Sequence, residues 1–251
     1  MKTKKIGVII LAAGRGTRLN AGRPSEKPKV LFELAGRSMI TYTIKNLKTL
    51  EPAQIVLVVG YKTNLVKKTL GSEFTYAEQK RQLGTAHAAV CGLAKIEKGI
   101  KTVLIVNGDD SAFYSNKTLK DLLAVHFRTK NTLTFLTARL KNPYGLGRVV
   151  RDKKGKVIEV AEEKMTTNLQ KEIKEVNAGC YLAKVPWLKS VLAKVKKSAA
   201  GEYYLVDIVK IAVKEKEKIG TVLLRNRNEW QGVNTPEELK MADLIMRQRL
   251  I

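Results

Sequence analysis

The chain has 251 residues, of which 44% are hydrophobic, two cysteines, and a formal net charge of +24. This apolar content is enough for a buried core, which excludes general disorder, and two cysteines exclude a disulfide framework or a cysteine-rich zinc module. A reducing, cytoplasmic setting fits these cysteines, although a single Cys91–Cys180 bridge is left open.

The basic excess has three candidate origins, which are nucleic-acid binding, membrane-surface binding and the composition bias of the source organism. The basic side chains are scattered along the chain, and no aromatic residues are interleaved with them as in a base-stacking platform. We therefore expect neither nucleic acid nor a membrane as a partner. A positive field would still steer a multiply charged anionic substrate towards the protein.

The first apolar run, Ile6–Ala13, follows a basic N-terminus and so imitates a signal peptide. It leads directly into Gly14–Arg18, which has the composition of a functional loop rather than of a cleavage site. We interpret the run as a buried first strand. No other segment approaches the ~18 apolar residues of a membrane span.

Apolar runs alternate with helical periodicities through the first half of the chain. Strands are predicted at Lys5–Leu11, Gln54–Val59, Phe74–Glu78, Thr102–Asn107 and Thr132–Ala138, and helices at Met39–Leu50, Thr63–Leu70, Thr85–Glu97 and Asn116–Thr129. This alternation predicts a parallel sheet covered by helices on both faces, with ligands bound at the C-terminal ends of its strands.

The pattern changes after about residue 143. Strands are predicted at Arg148–Arg151, Val157–Ala161, Val176–Ala183 and Thr221–Leu224, and helices at Pro186–Lys196, Tyr204–Lys214 and Pro236–Arg249. Asp152–Gly155 is a hairpin turn signal, and Thr235 with Glu238 forms a capping box for the last helix. No repeat or linker separates the halves, so residues 1–251 are expected to form a single domain whose second half completes a site begun by the first.

The segment Leu11–Arg18 directly follows the first strand. Its small residues and two glycines let backbone N–H groups approach an anion, while Arg15 and Arg18 add positive charge. Lys29 could reach the phosphate groups of an anion bound by this segment. Neither the Walker A pattern nor the dinucleotide fingerprint is completed, and a glycine-rich turn with solvated basic side chains is the alternative.

Two further strand ends carry polar side chains. Gln79 offers both a donor and an acceptor, which suits the imide edge of a pyrimidine. Asp109 follows a strand that is expected to lie beside the Leu11–Arg18 segment, and it is a candidate Mg²⁺ ligand. The alternative is that Asp109 only forms part of a turn. His87 and His126 are interpreted as structural residues within helices.

The motifs Leu11-Ala-Ala-Gly-x-Gly-Thr-Arg18 and Pro28-Lys29-Val-Leu31 resemble the signature of sugar-1-phosphate nucleotidyltransferases. The resemblance extends over nearly the whole chain and is greatest to the uridylyltransferase (pyrophosphorylase) subgroup that acts on N-acetylglucosamine 1-phosphate. Within that subgroup, Gly201-Glu-Tyr-Tyr-Leu-Val-Asp207-Ile is the best single match.

The resemblance implies an α/β, Rossmann-like three-layer nucleotidyltransferase fold, with a mostly parallel central sheet and a smaller sugar-binding β part. Residues 1–140 would mainly bind the nucleotide, and residues 141–251 would mainly bind the sugar and supply the closing helix. The implied reaction transfers UMP from UTP to N-acetylglucosamine 1-phosphate and yields UDP-N-acetylglucosamine, a cell wall precursor, and pyrophosphate. Mg²⁺ would be the cofactor.

The resemblance also implies roles for individual residues. Arg18 and Lys29 would be catalytic and would stabilise the departing pyrophosphate. The nucleotide would be bound by Leu11, Ala12, Ala13, Gly14, Gly16, Thr17, Gln79, Gly84 and Thr85. The sugar would be bound by Asn107, Gly108, Gly147, Glu162, Lys164 and Asn177, with Glu-x-Lys spacing favouring Glu162 over Glu163. Mg²⁺ would be held by Asp109 and Asn234.

Three features bear on the remaining alternatives. The segment between Arg18 and Pro28 is several residues longer than in the uridylyltransferase, and Asn107 stands where that enzyme has Tyr. No hexapeptide repeats follow, so no acetyltransferase activity is expected. A UTP- or dTTP-dependent transferase for glucose 1-phosphate or another hexose 1-phosphate is the first alternative, and a non-catalytic nucleotide-sugar-binding homologue is the second. The sequence does not indicate the oligomeric state.

Overall fold

A computed structural model describes residues 5–20, 23, 25–163 and 166–250, without the side chains of Arg18, Asn20 and Arg227. Its strands are β1 (Ile6–Ala12), β2 (Glu33–Leu34), β3 (Arg37–Ser38), β4 (Gln54–Val59), β5 (Thr75–Glu78), β6 (Thr102–Asn107), β7 (Leu133–Arg139), β8 (Arg148–Arg151), β9 (Val157–Ala161), β10 (Glu175–Lys184) and β11 (Ile219–Leu223). Its helices are α1 (Met39–Lys48), α2 (Thr63–Leu70), α3 (Thr85–Leu93), α4 (Asn116–Arg128), α5 (Asn168–Lys171), α6 (Val185–Leu192), α7 (Asp207–Lys214) and α8 (Pro236–Leu250).

All strands except β2 and β3 form one large mixed sheet with the order β11-β7-β10-β6-β1-β4-β5, and the β8–β9 hairpin attaches to β10. β2 and β3 pair only with each other, as a separate antiparallel ribbon. β1 runs parallel to β4 and β6, β4 to β5, and β7 to β11. β10 runs antiparallel to both β6 and β7. The predicted mostly parallel sheet is confirmed, with β10 inserted in the opposite direction.

Helices cover both faces of the sheet because the strand side chains alternate between two apolar cores. Ile9 and Leu11 of β1 face the core that contains α3, α6 and α7. Val8 and Ile10 face the core that contains α1, α2 and α4. Full burial of one such side chain stabilises the fold by about 1.5–3 kcal/mol, so a strand that is apolar on both faces is stable only between two helical layers. The predicted three-layer α/β fold is confirmed.

The order of the strands creates a crevice between β1 and β6. The chain leaves β1 towards β4 on one side and later returns through α3 to β6 on the other. The connections after neighbouring strands therefore diverge at their carboxyl ends, which is where open α/β sheets bind ligands. Leu11 and Asn107 are register partners at this edge.

The closing helix α8 packs on a third apolar cluster that includes Leu34, Phe113 and Met246. The predicted capping box at its start is confirmed. The Glu238 N–H donates to Thr235 Oγ1 at 3.2 Å, and the Thr235 N–H donates to Glu238 Oε2 at 3.2 Å. These bonds satisfy backbone N–H groups at the helix start and fix the position of Asn234 just before it.

Most predicted elements are present, and several of their ends differ. α1 ends at Lys48, and Glu51 with a φ of +49° precedes Pro52, which disfavours helical backbone before it. α3 ends at Leu93 and α6 at Leu192, both short of the predicted ends. α7 begins at Asp207 rather than Tyr204, because the Leu205 N–H donates to Thr85 Oγ1 at 2.8 Å instead of entering the helix. The short elements β2, β3 and α5 were not predicted.

The two cysteines lie in different parts of the fold. Cys91 is on α3 and Cys180 is buried in β10, and both are free thiols. The bridge left open from the sequence is therefore absent. Burial raises the pKa of the Cys180 thiol well above its usual value.

No helix in the described ranges is both long enough and apolar enough to cross a membrane.

The close packing of α3 on the sheet yields a stability prediction. A Cβ at Gly92 would lie 2.5 Å from Ile9 Cγ2 and 2.9 Å from Val58 Cγ2. Gly92→Ala gains about 1 kcal/mol of helix propensity, but overpacking typically costs about 1–3 kcal/mol. We expect contact with two buried strands to outweigh the gain and to lower the melting temperature by a few degrees.

Val90→Ala on the exposed side of the same helix is the control, because it changes helix propensity without this contact. Thermal unfolding followed by circular dichroism measures both variants. A melting temperature of Gly92→Ala equal to or above that of the unsubstituted protein would contradict the packing argument.

Candidate active site

A cleft of about 980 Å³ opens at the carboxyl ends of β1 and β6 and is lined by both halves of the chain. The predicted site residues that line it are Leu11, Ala12, Ala13, Gly14, Gly16, Thr17, Lys29, Gln79, Gly84, Thr85, Asn107, Asp109, Gly147, Glu162, Asn177 and Asn234. Residues separated by more than 200 positions in the sequence thus share one cavity, whose volume is typical of a small-molecule site.

Three predicted residues are not among those lining the cleft. Gly108 packs behind its wall, with its N–H donating to Leu11 O at 2.9 Å and its carbonyl accepting from Thr43 Oγ1. Both backbone groups thus have partners within the protein, and the sugar contact expected through Gly108 stays a prediction. Arg18 lies in the 3₁₀ turn Thr17–Asn20, but its side chain is outside the described part of the structure, as is all of Lys164.

The loop after β1 is fixed by hydrogen bonds to the segments that follow β4 and β5. The Tyr61 N–H donates to Ala13 O at 3.1 Å, and Arg15 Nε donates to Gln82 Oε1 at 3.2 Å. A Cβ at Gly16 would lie 3.0 Å from Lys29 Cβ, so the loop passes close to the lysine. Backbone N–H groups and a cationic side chain therefore border the same space, as an anion-binding loop requires.

Lys29 lies between the two predicted metal ligands. Its ammonium group forms an ion pair with Asp109 Oδ2 and donates to Asn234 Oδ1 at 3.0 Å. The side chains of Lys29 and Asp109 are only 14% and 20% exposed. An oxygen from the end of β6 and an oxygen from the start of α8 thus converge on one cation-sized position.

This donor set fits a hard divalent cation, which prefers carboxylate and amide oxygens. In the described ranges, no group of three or more His, Cys, Asp or Glu side chains is arranged to hold a metal ion. An ion at this position would have two protein ligands and would depend on substrate phosphates for others, as Mg²⁺ sites of nucleotide enzymes commonly do.

Asp110 also lines the cleft, and sequence reasoning missed it. Asn107 Nδ2 donates to Asp110 Oδ2 at 3.1 Å, and Ser111 Oγ donates to Asp110 Oδ1 at 3.3 Å. Burial and the neighbouring Asp109 carboxylate raise the pKa of Asp110. The doubled Asp109-Asp110 was the available signal, but the sequence could not show which side chain meets Lys29.

A turn before β8 borders the other end of the cleft, and a buried ion pair supports it. Arg148, 2% exposed, pairs with Glu163 Oε2 at 2.6 Å and donates to Leu146 O. The Gly145 N–H donates to the same carboxylate at 3.1 Å. Glu163 is therefore occupied in holding the turn.

Glu162 instead lies in the cleft beside this turn. A Cβ at Gly147 would lie 3.3 Å from Glu162 Oε1. Burial, and secondarily the Asp207 carboxylate, raise the pKa of Glu162. Of the two adjacent glutamates, the structure leaves Glu162 as the one available to a ligand.

A register shift in β10 brings Asn177 to the cleft. Asn177 Nδ2 donates to Tyr181 Oη, and Asn177 Oδ1 accepts from the Gly179 N–H at 3.2 Å. Gly179 has a φ of +73°, and a Cβ there would lie 2.6 Å from Asn107 Nδ2. The irregular strand therefore places Asn107 and Asn177 on one wall.

The segment 201–206, which contains the Gly-Glu-Tyr-Tyr motif, lies against the loop Leu83–Ala86. The Tyr203 N–H donates to Leu83 O at 2.8 Å, and the Ala86 N–H donates to Tyr203 O at 2.9 Å. Gly84, with a φ of +99°, lies where a Cβ would be 2.5 Å from Tyr203 O. This close backbone contact gives the motif a structural role, which is to fix the loop after β5.

Gln79, at the end of β5, is 3% exposed and has partners on two sides. Its Nε2 lies 3.0 Å from Gly84 O and 3.0 Å from His87 Nδ1. His87 lies in α3, as expected, but it contacts a predicted nucleotide-binding residue, which sequence reasoning did not anticipate.

The chain is similar to known proteins both in sequence and in fold. The family model described as Nucleotidyl transferase matches residues 7–248. The bifunctional protein GlmU of Streptococcus pyogenes serotypes M1 and M12 is 37% identical over 243 residues, which cover 96% of this chain and 52% and 57% of those relatives. The chain thus spans about half the length of the curated relatives it matches.

Two solved structures share the fold at low sequence identity. One is described as a glucose-1-phosphate thymidylyltransferase from Bacillus anthracis, with a TM-score of 0.81, 22% identity, and coverage of 96% of this chain and 95% of that one. The other is the inositol-1-phosphate CTP transferase from T. maritima, with a TM-score of 0.74, 17% identity, and coverage of 98% and 96%. These two structures share the fold, whereas the family match over residues 7–248 and the 37% identity to the GlmU proteins make the chain a member of the nucleotidyl transferase family of enzymes.

Proposed function

We propose that the protein transfers UMP from UTP to N-acetylglucosamine 1-phosphate, giving UDP-N-acetylglucosamine and pyrophosphate, with Mg²⁺ as cofactor. The observation that carries the proposal is the contact of Lys29 with Asp109 and Asn234 beside the glycine-rich loop. It supplies a cation, two metal-ligating oxygens and backbone donors where a triphosphate would lie. The 37% identity to GlmU supports the uridylyl and N-acetylglucosamine assignment.

The two halves of the chain would bind different substrates. Residues 1–140 would mainly bind the nucleotide through Leu11–Thr17, Gln79, Gly84 and Thr85. Residues 141–251 would mainly bind the sugar through Gly147, Glu162, Lys164 and Asn177, with Asn107 facing them from β6.

The reaction is proposed as a direct displacement. An oxygen of the sugar phosphate attacks the α-phosphorus of UTP, the bond from that phosphorus to the bridging oxygen breaks, and pyrophosphate leaves. The nucleophile is already an anion, so the protein needs neither a general base nor a covalent intermediate. Its contribution is to position the two substrates and to stabilise the charge that develops on the leaving group.

Lys29, Arg18 and the loop N–H groups would supply this stabilisation. Asp109 and Asn234 would hold Mg²⁺, which when bound neutralises phosphate charge. Because Lys29 already contacts both ligands, its ammonium group is positioned to move only a short distance to a phosphate oxygen.

Transfer to glucose 1-phosphate or another hexose 1-phosphate is the second candidate. Asn107 favours this candidate, because it would face the sugar at a position where the uridylyltransferase has a tyrosine. The nucleotide in that case would be UTP or dTTP.

The direct test is pyrophosphate release with Mg²⁺, crossing UTP, dTTP, CTP, ATP and GTP with N-acetylglucosamine 1-phosphate and glucose 1-phosphate. We expect a strong signal for UTP with N-acetylglucosamine 1-phosphate. Turnover with glucose 1-phosphate instead would establish the second candidate, and no turnover by folded protein with any pair would overturn transfer to either of these two sugars.

Substitution of Lys29 tests its proposed catalytic role. Lys29→Ala should lower kcat by about 10²–10³-fold, the scale expected for loss of one transition-state donor. Lys27→Ala is the matched control, because Lys27 lies two residues away with a side chain that is 60% exposed. Equal rates for the two variants would contradict the role.

Glu163 holds the turn before β8, so its removal should affect binding of the sugar 1-phosphate selectively. Glu163→Ala removes the carboxylate that holds Arg148 and Gly145, so the turn should be loosened. KM for the sugar 1-phosphate should then rise by about tenfold, the value of one hydrogen bond to a charged group, with KM for UTP little changed. Glu172→Ala, at an exposed position nearby, is the control. An equal rise in both KM values would show that the ion pair does not act locally on the sugar site.

A further inference from the structure

The orientation of the Gln79 side chain is fixed by two neighbouring acceptors. Gly84 O lies 3.0 Å from Gln79 Nε2 and, as a carbonyl, can only accept. The amide nitrogen must therefore face Gly84. Reversing the amide would oppose Gln79 Oε1 to the Gly84 oxygen in a nearly buried position, which leaves two acceptors unpaired and is costly.

The same geometry determines the tautomer of His87. Gln79 Nε2 lies 3.0 Å from His87 Nδ1, and the amide nitrogen carries only donors. Nδ1 must therefore accept, which it can do only in a neutral imidazole that carries its proton on Nε2. Gly84 and His87 thus accept one amide N–H each.

These two contacts leave Gln79 Oε1 as the polar atom available to a ligand in the cleft. An acceptor at this position suits a base edge that presents a ring N–H, as the imide of uracil or thymine does. Cytosine presents an unprotonated ring nitrogen instead, so two acceptors would face each other. The orientation of this one amide would therefore discriminate uracil and thymine from cytosine.

The start of α3, which carries His87, is held in place from the second half of the chain. His87 lies in the first turn of α3, where the Ala86 N–H donates to Tyr203 O at 2.9 Å and Thr85 Oγ1 accepts from the Leu205 N–H at 2.8 Å. Segment 201–206 therefore fixes the helical turn that carries His87.

We propose that His87 is a positioning residue that fixes the Gln79 amide and thereby makes the base site selective for nucleotides with an imide N–H over cytidine nucleotides. The proposal rests on the proposed function in that the cleft binds a pyrimidine nucleotide. His87 acts through Gln79 and takes no part in the chemical step.

The tautomer can be measured without any substrate. The chain has only two histidines, so ¹⁵N NMR of the imidazole groups gives two sets of signals, and His87→Asn identifies the set from His87. We expect an unprotonated Nδ1 and a protonated Nε2 at neutral pH. A proton on Nδ1 would overturn the proposal.

Two substitutions of His87 distinguish the loss of its hydrogen-bond acceptor from the loss of its ring. Asn places its Oδ1 close to the position of Nδ1 and can accept from Gln79, whereas Leu fills the space without an acceptor. His87→Leu should reduce the UTP-to-CTP ratio of kcat/KM by about 3- to 10-fold, the value of one hydrogen bond, through a higher KM for UTP at unchanged kcat. His87→Asn should retain most of the ratio, and Val90→Ala on the same helix should retain all of it.

A ratio that is equal in His87→Leu and His87→Asn would overturn the proposal, as would a fall in kcat at unchanged KM. If no sugar phosphate supports turnover, the proposed function fails, and calorimetric binding of UTP and CTP to the same variants tests His87 separately. The same ordering of binding ratios would support the role, and equal binding of UTP and CTP to the unsubstituted protein would overturn it.

Discussion

The contact of one buried ammonium group with two oxygens organises the site. Lys29 lies in a short 3₁₀ turn, Asp109 follows β6, and Asn234 precedes α8, 205 positions further along the chain than Lys29. A carboxylate with so little solvent contact would be costly without a cation beside it. This contact therefore forms only when the end of β6 and the start of the closing helix α8 are both in place beside Lys29. The loop after β1 packs against Lys29 as well.

The second half of the chain also acts on the site through supporting contacts. Segment 201–206 hydrogen-bonds to the loop after β5, and the Arg148–Glu163 pair fixes the turn before β8. Neither arrangement requires a reactive side chain. Both instead limit the positions available to a ligand at their side of the cleft.

The sequence predicted the parts that depend on local pattern. Gln54–Val59 and Thr102–Asn107 are apolar on both faces and match the observed strands residue for residue, and because parallel strands end at one edge, the polar residues after them lie together. The direction of β10, the late start of α7 and the contact of His87 with Gln79 were not predictable. Each depends on a partner distant in the sequence, such as Thr85 for Leu205, 120 positions apart, or on side-chain packing. Most residue roles came from family resemblance, and those of Gln79 and Asp109 were also indicated by their chemistry at strand ends.

Binding of Mn²⁺ in the presence of UTP, followed by electron paramagnetic resonance, tests the convergence of Asp109 and Asn234 most directly. The account predicts that Asp109→Asn and Asn234→Ala each weaken Mn²⁺ binding by at least about tenfold, since even residues that only support metal ligands commonly matter that much. Asp121→Asn, which alters an exposed carboxylate paired with Lys117, should leave binding unchanged. Mn²⁺ affinity that is the same in all three variants would contradict the placement of the metal site between β6 and α8.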